Sequence, residues 1–449
     1  MAAPPPTSPR DEQSLLVRFR NARLVTESGI RMGELWMQAG KIVDPQTLFW
    51  ERREGLVEAE SAADRCIDCQ GMILAPGMID IMLYGAFGVD FSMLGGEGNK
   101  AAHEATQAMQ RVCARLPELG ITAFCPAIRP CAPDVCVRIL ERLAPPPSKK
   151  QQSPSGGLKR RAGAGGGDGG ATGVGAQVLG AHLDGPYISK ERAPDEAARS
   201  FARETFDGAD DLRAAIGFGA GAERRIALMT VAPELPGAVD AIRALSASGV
   251  VVGLGRTAAE LSHCETAVAA GARLITHVFS HMPPFKHRDP GPIGLLAERE
   301  AAAGAEGDAA ERIFFSMAVA GQHEATVNLA QSTHPEGLVL LSSSHAVGDG
   351  EGEGGAPHGT EGMAAAGILQ SARRLWQCSG TADPSAALLC GSAHPAELLK
   401  QTAKGSLDAG ADADLVLLDP TSLDVRACYV GGRLSWADPN LNGAMWYHA

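Results

Sequence analysis

Residues 226–279 read IALMTVAPELPGAVDAIRALSASGVVVGLGRTAAELSHCETAVAAGARLITHVF, a regular alternation of apolar runs and amphipathic segments. Three short apolar runs, IALMTVAPE, VVVGLG and LITHVF, are each bounded by Gly, Pro or a polar group, as buried strands are. Between them, 238–248 and 258–270 carry apolar residues at helical spacing. Strand, helix, strand, helix, strand in so few residues implies parallel strands joined by crossover helices.

The same alternation extends in both directions. Upstream lie GMILAPGMID (71–80), a helix over 101–119, GITAFCPAI (120–128), a helix over 133–143 and VLGAHLDGPY (178–187). Downstream lie FFSMAVA (314–320), a helix after it, and GLVLLSSSHAV (337–347). That number of βα units favours a closed barrel over an open sheet, giving an α/β chain with a TIM-like (β/α)8 barrel over 71–400. Both ends of the chain read differently. LLVRFRNARLV and GELWMQAGKIVD (within 15–70) and ADLVLLDP, VRACYVGG and RLSWAD (within 401–449) are short strands with turns between them. They are expected to join in one small sheet, with the barrel inserted between its halves. Three segments are too polar or too rich in Gly and Pro to order themselves: 1–14, and the flexible loops 145–175 and 348–362.

The bulk numbers exclude several classes. A formal charge of −12 gives no basic face for nucleic acid. No apolar run approaches the roughly 20 residues of a membrane span, and the opening MAAPPPTSPRDEQ lacks the cationic head and apolar stretch of a secretory signal. A cytoplasmic location is expected. The ten cysteines are scattered, and the one C-x-x-C, Cys66 and Cys69, has no partner pair at zinc-finger spacing. Reduced thiols follow.

Catalytic groups in such barrels sit at the C-terminal ends of the strands. His182 and Asp184 alternate along one strand, so both point the same way. Asp184 is a candidate metal ligand, the alternative being an Asp that opens an Asp-Gly turn. His277, inside LITHVF, suits a neutral nitrogen ligand, the alternative being a satisfied core histidine. The following loop, HMPPFKHRDPG, gathers His281, Lys286, His287 and Arg288 in an otherwise acidic chain, and Arg288 suits a forked grip on phosphate, the alternative being a solvated loop charge. His323 precedes a helix, as a substrate donor or a helix cap. Ser343 and His345 end the last strand, where hydroxyls bond a ligand but are not strong bases at neutral pH.

Taken together, the blocks ILAPGMIDIMLYGAFGVDFS, LGAHLDGPYIS, TVAPELPGAVDAIRALSASGV, GARLITHVFSHMPPFKHRDPGPIGLL and KGSLDAGADADLVLLD resemble the N-acetylglucosamine-6-phosphate deacetylases, in family order from about residue 15 to 436. The resemblance implies an amidohydrolase-type barrel with a small β-sandwich formed from both chain ends. It also implies hydrolysis of N-acetyl-D-glucosamine 6-phosphate to D-glucosamine 6-phosphate and acetate, with one divalent metal ion (Zn or similar). A homodimer is implied as well, because the family's phosphate-binding Arg reaches the neighbouring subunit's site. In the family the metal is held by a Glu in an HLEGP block and by two His, and an Asp on a later strand moves the proton.

Carried across, that equipment is incomplete. Asp184 stands at the Glu position and His277 at one His position. Arg256 stands at the other His position, and a guanidinium has no lone pair to offer a metal. Ser343 stands at the catalytic Asp position, with His345 the nearby group that could be redirected to its task. On the substrate side, Arg288 matches the phosphate Arg and His323 a sugar-contacting His. Ser280 and His281 replace the Asn-Ala pair whose backbone meets the phosphate, and Met82 and Tyr84 replace a Gln and an Asn of the first strand. Two functions follow from this pattern: a deacetylase with an altered active site, or an impaired or inactive member that binds the sugar phosphate or acts as a regulatory protein. A dihydroorotase-like activity is disfavoured, because no H-x-H stands on the first strand.

Overall fold

The structure is a computed structural model, and it describes residues 15–46, 63–143, 175–217, 222–297, 312–342, 367–441 and 446–448. The segments expected to be flexible, 1–14, 145–175 and 348–362, lie outside these residues apart from Gly175, as do Ser343 and His345.

Eight barrel strands follow one another in chain order: Met78–Leu83, Ile121–Ile128, Ala181–Leu183, Ile226–Val231, Val251–Leu254, Ala272–Ile275, Phe314–Met317 and Leu338–Leu340. Each pairs in parallel with the one before it. No ladder among the described residues joins the last strand to the first. Instead the Ser342 N–H donates to Asp80 Oδ2 at 3.3 Å, so the barrel is nearly closed. Alternation along the strands sorts the side chains, as the pleat requires. Ile79, Ile81, Ala123, Cys125, Leu228 and Leu274 fill the interior, while Phe124, Ile128, Met229, Val252 and Phe315 pack against the outer helices.

The stretch 71–80 is not the single strand its pattern suggests. It makes two, Ile73–Pro76 in the small sheet and Met78–Leu83 in the barrel. Between them Gly77 crosses so close to the second barrel strand that a Cβ there would lie 2.1 Å from Thr122 Oγ1. The helix expected over 101–119 runs Gly98–Arg115 and then tightens into a 3-10 turn at Leu116–Leu119, which contains Pro117. The helix expected over 258–270 starts only at Leu261, because Glu234 Oε1 takes the Ala258 N–H at 2.6 Å and holds the preceding residues in a loop.

The small sheet has the order Arg433–Ala437, Val425–Val430, Leu415–Leu418, Ile73–Pro76, Val17–Thr26, Gly29–Gln38, Lys41–Val43. Val17–Thr26 is shared between layers. Its first half pairs with Arg65–Asp68 and its second half with Ile73–Pro76, across an irregularity between Phe19 and Ala22. Arg65–Asp68 in turn pairs with Trp446–His448. The two ends of the chain therefore build one sandwich, whose core includes Phe19, Leu35, Ile67, Leu415 and Tyr429.

Candidate active site

The C-terminal ends of the barrel strands bring four side chains together. Asp184 immediately follows the third strand, with its N–H on the Ile128 carbonyl at 2.9 Å. Arg256 lies two residues beyond the fifth strand, and His277 two residues beyond the sixth, so His277 is in the turn after the strand and not inside it. Tyr84 follows the first strand. Arg256 and His277 both have left-handed backbone, φ 48° and 49°, which a non-glycine residue adopts only at a cost. Such strain is tolerated where the surroundings fix it. Gly255 allows the turn before Arg256, since a Cβ there would lie 1.9 Å from Thr276 Oγ1.

Arg256 Nε donates to Asp184 Oδ2 at 2.6 Å, in an ion pair whose side chains are 4% and 0% exposed. Tyr84 Oη donates to the same oxygen at 2.6 Å and accepts from Arg256 Nη2 at 3.2 Å. A third guanidinium nitrogen, Nη1, reaches the Arg192 carbonyl at 3.4 Å. The Tyr84 ring stacks on His277, with centroids 6.5 Å apart and planes 11° apart. His281 stands edge-on to His277 at 5.8 Å.

The electrostatics follow from that packing. Burial alone would raise the Asp184 carboxyl, but the adjacent Arg256 charge and smaller contributions outweigh it and hold the group below the ordinary carboxylate range. Burial pushes the Tyr84 hydroxyl up, and the Asp184 charge adds to that. Burial, then the Arg256 charge, pulls His277 down to about 3, so its ring is neutral. His182 is likewise pulled down by burial, to about 4. It is a satisfied core histidine, bonded to the Ile81 carbonyl at 3.1 Å and to Thr230 Oγ1 at 2.8 Å.

The donor set does not fit a divalent ion. One Asp184 oxygen is already spent on Arg256 and Tyr84, and the guanidinium bonded to it would repel a dication. Asp184 Oδ1 and His277 Nε2 are buried and lack a hydrogen-bond partner among the described residues. Among the described residues, no group of three or more His, Cys, Asp or Glu converges as a metal site.

The remaining expected residues follow the sixth and seventh barrel strands. Ser280 is half-buried, and its N–H closes the turn onto the His277 carbonyl at 2.8 Å. His281 and Arg288 are exposed in the loop that follows. His323 is exposed and caps the helix Glu324–Thr333, its Nδ1 accepting from the Ala325 N–H at 3.1 Å. Three participants were not singled out for these contacts from sequence: Tyr84 as the bridge, the Arg192 carbonyl, and Arg129. The Arg129 guanidinium lies 5.1 Å over the Tyr84 ring and pairs with Asp90 at 2.8 Å. Arg129 directly follows the second barrel strand, a position at which the strand-end rule would have found it.

No family model matches the chain. Curated relatives do. The chain is 36% identical over 443 residues to the N-acetylglucosamine-6-phosphate deacetylases of Bos taurus and Homo sapiens, covering 94% of this chain and 96% of each relative. The Caenorhabditis elegans protein of that name is 30% identical over 439 residues, with 93% and 94% covered. Among solved structures, the N-acetylglucosamine-6-phosphate deacetylase of Pasteurella multocida superposes with a TM-score of 0.69 at 20% identity, covering 94% of this chain and 100% of that one. A mutant of the Mycobacterium smegmatis enzyme in complex with N-acetyl-D-glucosamine-6-phosphate gives 0.68 at 24%, covering 94% and 99%. The solved structures carry the fold, an amidohydrolase barrel with its small sandwich, and the curated relatives carry the kinship. This chain belongs to the N-acetylglucosamine-6-phosphate deacetylase family.

Proposed function

We propose that this protein binds the amino-sugar phosphate of its family, N-acetyl-D-glucosamine 6-phosphate, and that hydrolysis of the acetamide is impaired or lost. The observation that carries the reading is the buried ion pair of Arg256 with Asp184. It puts a permanent cation on the carboxylate that would otherwise face a metal ion. Asp184, His277, Arg256 and Ser343 are on this reading the altered remains of the catalytic centre, with His345 the neighbour that could take over proton transfer. Arg288 serves as the phosphate grip, Ser280 and His281 line the phosphate end, and His323 contacts the sugar. The exposure of Arg288 suits a homodimer in which it reaches the neighbouring site. Thiols without disulfide partners at all ten cysteines suit a cytoplasmic location.

A second reading, retained deacetylation at a modified site, is favoured by 36% identity across nearly the whole length of deacetylases. Three measurements on the purified chain separate the two: calorimetric titration with N-acetyl-D-glucosamine 6-phosphate, elemental analysis for bound metal, and amine release from the same compound. The proposal expects saturable binding, no stoichiometric metal, and amine release lower than an ordinary turnover of about 10 per second by several orders of magnitude. One tightly held zinc per chain with turnover in the ordinary range would overturn it in favour of the second reading.

A further inference from the structure

Beside the site, the chain places two thiols in a geometry that its own helix start dictates. The Ala132 carbonyl accepts from the Cys136 N–H at 2.9 Å, which makes Ala132 the capping residue of the helix Pro133–Leu143. Chain geometry brings the residue before a cap against the fourth helical residue, a contact usually made by two apolar side chains. Here those positions are held by Cys131 and Cys136, which the helix start therefore sets side by side. Both line one small cleft with Arg129, Pro130, Gly185 and Pro186. Cys131 is half-buried, whereas Cys136 is 5% exposed.

We propose that Cys131 and Cys136 form a reversible intramolecular disulfide, with Cys131 as the attacking sulfur and a low-molecular-weight disulfide as the oxidant. The roles follow from the surroundings. Cys131 is the more exposed of the two, and the neighbouring Cys136 thiol holds it below its ordinary range, while Cys131 and burial push Cys136 well above it. The Cys131 thiolate attacks one sulfur of the small disulfide and expels the other half as a thiolate. Cys136 then gives up its proton, attacks the Cys131 sulfur of the mixed disulfide and releases the second half. One protein S–S bond forms, and one small disulfide is reduced to two thiols. The cross-link would tie down the loop that carries Arg129 across the Tyr84 ring, so the oxidation state is set within one residue contact of the Arg256–Asp184 pair.

The test uses the full native chain, oxidised glutathione as the probe, and alkylation of free thiols followed by peptide mass mapping. The expected result is loss of two thiols as a Cys131–Cys136 cross-link, with no retained glutathione and full recovery on adding dithiothreitol. Cys136→Ser should leave glutathione stably attached to Cys131, and Cys131→Ser should slow modification of Cys136 at least tenfold. The wild-type measurement stands even if a variant fails to fold. A stable glutathione adduct on wild-type Cys131, two thiols that stay free, or prior cross-linking of another pair such as Cys66 and Cys69 would each overturn the proposal.

Discussion

Arg256 was legible as an oddity in the text, an arginine in GLGRTAA where a metal ligand is expected, and so was the shortened carboxylate of Asp184. Their meeting was legible only as a possibility, because 72 residues separate them and a fold must close to join them. Tyr84 shows where the text ran out. Its identity as a replaced polar residue could be read, but its hydroxyl completes the pair from 100 residues away from Asp184. The energetic consequence is testable at single residues. Arg256→Met would leave a buried carboxylate without its cation, which costs about 3 to 5 kcal/mol. Adding Asp184→Asn should restore a substantial part of that loss, since the charge is then gone as well. Urea unfolding of the two single variants and the double variant gives the coupling directly. Strict additivity would show that the pair is not energetically coupled.

At the level of elements, the periodic text served well where one strand or helix had one job. GITAFCPAI and the helix over 133–143 fall where their patterns put them. It served less well where tertiary contacts set the boundary. Residues 258–260 have a helical pattern, yet the Glu234 carboxylate captures the Ala258 N–H. Residues 71–80, an apolar run broken by Pro-Gly, read as one strand entered from a turn, yet Gly77 divides them between two sheets. The strand ends at the site depend on similar close approaches. Gly255→Ala would drive a methyl group into Thr276, and overpacking of this kind costs about 1 to 3 kcal/mol. A variant as stable as the parent by thermal unfolding would mean that Thr276 turns aside freely.

For the molecule as a whole, the sandwich depends on charge as well as on apolar burial. Lys404 Nζ bonds Asp414 at 2.6 Å and Asp412 at 3.0 Å, and its side chain is 6% exposed. Burial alone would lower the lysine, but the Asp414 charge and the further bonds raise it above its ordinary range. Its stabilisation is therefore complete below about pH 10.4 and is lost as pH rises through the folded value. Asp412 is held below its ordinary range despite burial, chiefly by its bonds to Lys41 and by the Lys404 charge. Its share is complete above about pH 4 and is lost as pH falls. Lys404→Met should cost about 3 kcal/mol between those limits, and the gap from the parent should narrow towards both extremes. Denaturant midpoints across a pH series check this, and a gap independent of pH would show that the lysine acts through packing alone.

The pairing of Ile73–Pro76 with Leu415–Leu418 also bears on how the chain is made. The early strand leaves the ribosome with one edge bare. The strand that covers that edge is synthesised more than three hundred residues later, a wait on the order of half a minute at ordinary translation speed. During that interval the nascent polypeptide carries an open template for pairing with other chains. Holdase chaperones binding near the emerging amino-terminal segment, and release of that segment only at the end of translation, are the expected cellular signature of this topology.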